Sequence, residues 1–86
     1  MKQFTYTVTA PAGVHLRLAG LLVKAAKALD STVTIVKADG RSAAASKLMA
    51  VMGLGILTGE TVTAIVEGGD EAAAAAAMER FFRENL

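Results

Sequence analysis

The residues that could do chemistry in this 86-residue chain gather in one stretch, Gly13-Val14-His15-Leu16-Arg17-Leu18-Ala19. His15 is the only histidine, and it stands between a glycine turn and a run from Leu16 to Leu29. Within that run Leu18, Leu22, Ala25, Ala26 and Leu29 recur at helical spacing. An imidazole just before a helix lies beside backbone N–H groups that have no intrahelical acceptor. Those donors and the positive end of the helix dipole favour an anion, phosphate included. Arg17 adds a planar cation whose fork suits phosphate oxygens. Imidazole titrates near neutrality, so as a class it offers a large neutral, nucleophilic fraction there. A nucleophilic nitrogen, amide donors and a guanidinium within one turn make a site for holding a phosphoryl group on histidine. The plainer alternative is a surface residue or a polar helix cap. With no second catalytic group nearby, the arrangement fits a carrier that accepts and gives up a phosphoryl group better than a self-contained hydrolase.

Other chemistry is hard to build from these residues. There is no cysteine, hence no disulfide framework, thiolate zinc site or thiol nucleophile. One histidine cannot make a histidine metal site and the carboxylates are scattered, so no metal is expected. Gly53, Gly55 and Gly59 carry neither the P-loop nor the dinucleotide-binding spacing, so no nucleotide cofactor is expected either. Ser31, Ser42 and Ser46 have no local partner to activate them. A net charge of +1 with dispersed Lys and Arg argues against nucleic acid as a partner. The first residues lack a signal-peptide pattern, and the apolar run Leu48–Leu57 is glycine-broken and too short to cross a bilayer. The expectation is a soluble, cytoplasmic, single domain over residues 1–86 with a modest core.

The elements that must position His15 follow from the hydrophobic pattern. Phe4, Tyr6 and Val8 alternate with Gln3, Thr5, Thr7 and Thr9, a half-buried strand over residues 2–9. Pro11 and Gly13 make Ala10–Val14 a loop, and a helix follows from Leu16 to Leu29. Thr32–Lys37 alternates again as a second strand. Asp39-Gly40 predicts a type I′ hairpin turn, returning through a short strand at Arg41–Ala45. Ser46 is a candidate N-cap for a short helix to Met52, with Leu48, Met49 and Met52 on one face. Glu60–Glu67 is the last strand. Asp70 caps a final helix, Glu71–Glu84, with the alanine run Ala72–Ala77 and an apolar face of Met78, Phe81 and Phe82. The order β-α-β-β-α-β-α implies a two-layer α+β sandwich; which strands adjoin does not follow from the pattern.

Taken together, these residues resemble the active-centre motif of the histidine-containing phosphocarrier protein family (HPr) of the bacterial sugar phosphotransferase system. The likeness continues through Val23-Lys24-Ala25-Ala26-Lys27, Asp39-Gly40-Arg41-Ser42, Leu54-Gly55-Ile56 and Glu67-Gly68-Gly69-Asp70-Glu71. The resemblance implies an open-faced sandwich, a four-stranded antiparallel sheet with three helices on one face. It implies a phosphoryl group taken from phosphorylated enzyme I onto Nδ1 of His15 and passed to a sugar-specific enzyme IIA. The carrier would not be an enzyme by itself, and would act as a monomer without a cofactor. Arg17 would pair with the phosphoryl group, the backbone amides of Leu16, Arg17 and Leu18 would hold its oxygens, and Leu16 with Leu48, Met49 and Met52 would dock the partners.

The chain departs from the family pattern in places. Leu18 stands where proline is usual, which permits the helix and adds an N–H. Leu16 replaces a small or polar residue and Ala12 a common polar one, so the site has fewer side-chain hydrogen bonds. Family members regulated by a serine kinase carry that serine where this chain has Lys47. Ser46 lies one residue early, about 100° around a helix, which puts a regulatory role for Ser46 in doubt and leaves it the role of N-cap. A rival reading keeps the fold but makes it a regulatory or protein-binding module with altered or no phosphotransfer. Leu16 and Leu18 would then extend an apolar surface around the site.

Overall fold

Alternating side chains produce four strands, β1 (Lys2–Thr7), β2 (Thr32–Lys37), β3 (Ser42–Ala44) and β4 (Thr61–Glu67), in a computed structural model that describes residues 1–86. Three helices complete it: α1 (Leu16–Lys27), α2 (Leu48–Gly53) and α3 (Glu71–Asn85). The sheet is antiparallel throughout, in the order β1-β4-β2-β3. Each inward row spans several strands. Phe4 pairs with Ala64, Ala64 with Ile35, and Ile35 with Ala43. The next inward row runs Tyr6–Val62–Lys37.

The helices cover that inward face. α1 buries Leu18, Ala19, Leu22 and Ala26, and α3 buries Ala74, Met78 and Phe82. The Phe82 ring meets Phe4 and Tyr6 edge-on, with centroids 5.3 and 5.6 Å away, a favoured geometry for aromatic pairs. Of the run Ala72–Ala77 only Ala74 is fully buried, so these alanines serve helix propensity more than close packing. The expected α+β open sandwich is the observed one, with twenty buried apolar residues in one cluster between the layers.

Local details differ from the sequence reading for physical reasons. The Asp39-Gly40 turn is not type I′: Gly40 has φ +93°, but Asp39 does not share the positive φ that type I′ needs. Instead the Gly40 amide donates to the Lys37 carbonyl at 3.0 Å, and the Asp39 carboxylate accepts from the Arg41 amide, also at 3.0 Å. Satisfying that amide with a side chain favours the longer turn with one left-handed glycine. Ser46 does not cap α2. The Ala45 amide still bonds to Val33 across the sheet, and Lys47 turns back onto Ala44. Lys47 therefore takes the cap position in an extended conformation, without a side-chain cap bond. Asp70 does cap α3, accepting from the Ala73 amide at 3.2 Å.

Lys37 is a charged residue on the buried side of β2. Its ammonium donates to the Leu54 carbonyl, the C-cap of α2, at 2.8 Å and pairs with Glu60 at 3.2 Å. Glu60 in turn accepts from the Leu57 amide at 2.7 Å. That backbone bond, and then Lys37, hold the Glu60 carboxyl below its ordinary range. Bonds from Arg41 do the same for Asp39. A carboxylate lowered on folding contributes stability that is present above its unfolded pKa and lost as pH falls through the folded one. Thermal melts from about pH 6 down to about pH 3 are therefore expected to show a falling Tm. Glu60→Gln should lie below wild type near neutrality and converge with it in acid; parallel curves would remove Glu60 from the acid response.

Candidate functional site

His15 reaches its position through a tightly held loop. The Gly13 amide closes a turn onto the Ala10 carbonyl at 3.0 Å, with Pro11 and Ala12 at its corners. Ala12 has φ +68°, so with proline before it the turn is type II, whose second corner favours glycine. Gly13 itself has φ +66°, and a Cβ there would stand 2.3 Å from the Ile56 carbonyl oxygen. No L side chain fits that approach. The Val14 amide then bonds to the Ile56 carbonyl at 2.9 Å, and the Thr9 and Ala10 amides both reach the Leu86 carbonyl. The loop is thus tied to the segment between α2 and β4 and to the end of α3.

Beyond this loop His15 is the N-cap of α1, extended at φ −88° and ψ −179°. Its Nδ1 accepts a hydrogen bond from the Arg17 amide at 3.2 Å. An imidazole nitrogen that accepts must carry its lone pair, leaving the ring proton on Nε2. The lone pair of Nδ1 is therefore the one aimed at the positive end of the helix. The amides of Leu16 and Leu18 make no hydrogen bond within the chain. The guanidinium of Arg17 is exposed and in no ion pair. The structure thus brings a half-buried imidazole up to the first-turn amides of α1, with Arg17 two residues along, and makes the histidine a helix cap as well.

The apolar residues divide. Leu16 and Met49 are 63% and 79% exposed, whereas Leu48 and Met52 are half-buried against the core. Leu18 is only 5% exposed. It belongs to the core, because the third position of α1 faces the sheet, and adds nothing to the surface around His15. Leu57, 61% exposed, joins Leu16 among the apolar residues beside the loop, since its Cα stands 2.7 Å from where a Gly13 Cβ would be. Ser46 is half-buried in the turn before α2, and its hydroxyl makes no hydrogen bond within the chain.

Sequence reasoning named Ala12 and Ile56 without finding their part in fixing the loop, and missed Thr58 altogether. Thr58 Oγ1 accepts from the Gly13 amide at 3.0 Å and donates to the Ala10 carbonyl at 2.5 Å. A contact spanning 45 positions leaves no local pattern to read.

A family model described as the PTS HPr component phosphorylation site matches residues 2–84. The chain belongs to the HPr phosphocarrier family. It is 40% identical over 82 residues to phosphocarrier protein HPr of Treponema pallidum, covering 95% of this chain and 92% of that protein. Against phosphocarrier protein HPr of Streptomyces coelicolor the identity is 46% over 68 residues, covering 79% and 70% respectively. The fold superposes on HPr-C-His from Thermoanaerobacter tengcongensis with a TM-score of 0.90 at 30% identity, over 98% of this chain and 93% of that one. Membership in the HPr family agrees with the four-stranded antiparallel sheet and three helices. No helix is long and apolar enough to cross a membrane.

Gly13→Ala is expected to cost about 2 kcal/mol or more of stability, because it forces both a left-handed φ and an overlap with Ile56. Denaturant unfolding measures it; a loss within about 0.5 kcal/mol would mean that the two loops separate easily.

Proposed function

We propose that the chain is a phosphocarrier that takes a phosphoryl group from phosphorylated enzyme I onto His15 and passes it to sugar-specific enzyme IIA proteins. The observation that supports this most directly is the Nδ1 lone pair of His15 facing the first-turn amides of α1. In the first step that lone pair attacks phosphorus. The new P–N bond forms as the bond to the donor atom of enzyme I breaks, and that atom keeps the electron pair. Nδ1 can then no longer accept from Arg17, so the Arg17 amide turns to a phosphoryl oxygen. The amides of Leu16 and Leu18 are free to do the same. The Arg17 guanidinium adds charge to the oxygens as a planar donor. Delivery to an enzyme IIA nucleophile runs the same displacement outward, returning Nδ1 to its capping bond.

The exposed Leu16 and Met49, with the outer parts of Leu48 and Met52, form the surface on which we place both partners. In this reading the protein is a substrate of enzyme I rather than an enzyme, and it acts as a monomer, cytoplasmic like its partners.

Incubation with phosphoenolpyruvate and enzyme I is expected to give an acid-labile phosphoryl adduct by intact mass. His15→Ala should abolish it while lowering stability by no more than about 1 kcal/mol, the scale of one lost helix cap. Absence of an adduct on folded wild type, with the same enzyme I active on another carrier, would favour the protein-binding module instead. Arg17→Ala should slow transfer by about tenfold to a hundredfold without unfolding the domain, the scale of one preorganised donor on a developing anion. An unchanged rate would exclude Arg17 from the site.

A further inference from the structure

The turn that delivers His15 is strained, and what holds it lies in another part of the chain. Ala12 occupies a left-handed position, φ +68°, that L side chains resist. Such a residue persists where its surroundings over-determine it. Here the Leu86 and Ile56 carbonyls anchor the flanks of the turn, and one hydroxyl bridges its two ends. Thr58 Oγ1 accepts from the Gly13 amide and donates to the Ala10 carbonyl, the two groups that the turn itself joins. The side chain therefore spans both ends of the strained turn and fixes their separation. Gly13 leads through Val14, pinned on Ile56, directly to His15.

We infer that Thr58 is a positioning residue for His15, clamping the Ala10–Gly13 turn so that the Nδ1 lone pair meets the first-turn amides of α1. The inference rests on the phosphocarrier reading, since it assigns Thr58 to that same site. Thr58 makes no hydrogen bond to the imidazole or to the amides that would hold the phosphoryl group, so its action runs through the turn. It is an exposed residue, and its two bonds compete with water. Their loss should loosen the turn without unsettling the core.

The decisive comparison is Thr58→Val, which keeps the shape and removes the hydroxyl, against Thr58→Ser, which keeps the hydroxyl. In transfer from phosphorylated enzyme I, Thr58→Val is expected to lower kcat by about tenfold, as misplacement of a reacting group does. KM and Tm should barely move, and Thr58→Ser should restore most of the rate. Ala12→Gly, which relieves the strain the clamp opposes, should recover part of the rate when combined with Thr58→Val. A wild-type kcat in Thr58→Val would overturn the inference. So would a raised KM with kcat unchanged, which would make Thr58 a partner contact. Should wild type accept no phosphoryl group, the carrier reading fails rather than this one. The His15 ring nitrogen resonances and the exchange rate of the Gly13 amide then decide it. A shifted ring and a faster amide in Thr58→Val alone support the clamp, and unmoved signals overturn it.

Discussion

The site depends on a backbone contact too close to admit a side chain. Gly13 passes so near the Ile56 carbonyl that hydrogen is the only substituent that fits, and the adjacent Val14 amide bonds to that same oxygen. One carbonyl thus sets both how near the two loops lie and in what register. On the far side, the Lys37 ammonium and Glu60 brace the segment that carries Ile56, through Leu54 and Leu57. The place of the imidazole is fixed by the sheet through this chain of contacts, and only its final orientation by α1.

At that end one lone pair has two employments. Capping α1 and, in the proposed transfer, accepting phosphorus both use Nδ1, so the free protein already holds that lone pair facing donors that suit an anion. The histidine's two possible roles in the sequence reading, cap and nucleophile, are compatible for this reason. A cap need be only modestly stabilising, which makes it a contact that chemistry can interrupt.

Much of the fold was legible because it rests on periodicity. Alternation at Phe4-Tyr6-Val8 and Val33-Ile35 and helical spacing after Leu16 placed those elements to within about two residues. The placement of His15 and Arg17 at the start of α1 was legible from the glycine turn before them and the helical spacing after them. Strand neighbours were not, since pairing β1 with β4 is a relation between residues some sixty positions apart. Lys37 left a signal that went unread: it continues the buried parity of Val33 and Ile35, where a charge must find a partner. Ser46 was misjudged because a good capping residue does not choose where a strand ends, and the ladder ran on through Ala45. Leu18 was misplaced for want of knowing which face of α1 meets the sheet. Nothing in Ala12 announces a left-handed backbone, because that conformation is imposed from outside.

The strand order has a consequence for how the protein comes into being. β1 lies at the sheet edge and pairs with β4 alone, while the loop after it leans on Ile56, Thr58 and Leu86. A chain emerging from the ribosome exposes His15 well before any of those counterparts has been made. Until they arrive, β1 has no strand to join, the turn has no clamp and the imidazole no fixed bearing. Long-range closure of this kind slows folding relative to a helical bundle. In return, completion of the proposed site is coupled to assembly of the sheet, so a growing chain would carry the histidine in sequence but not yet in place.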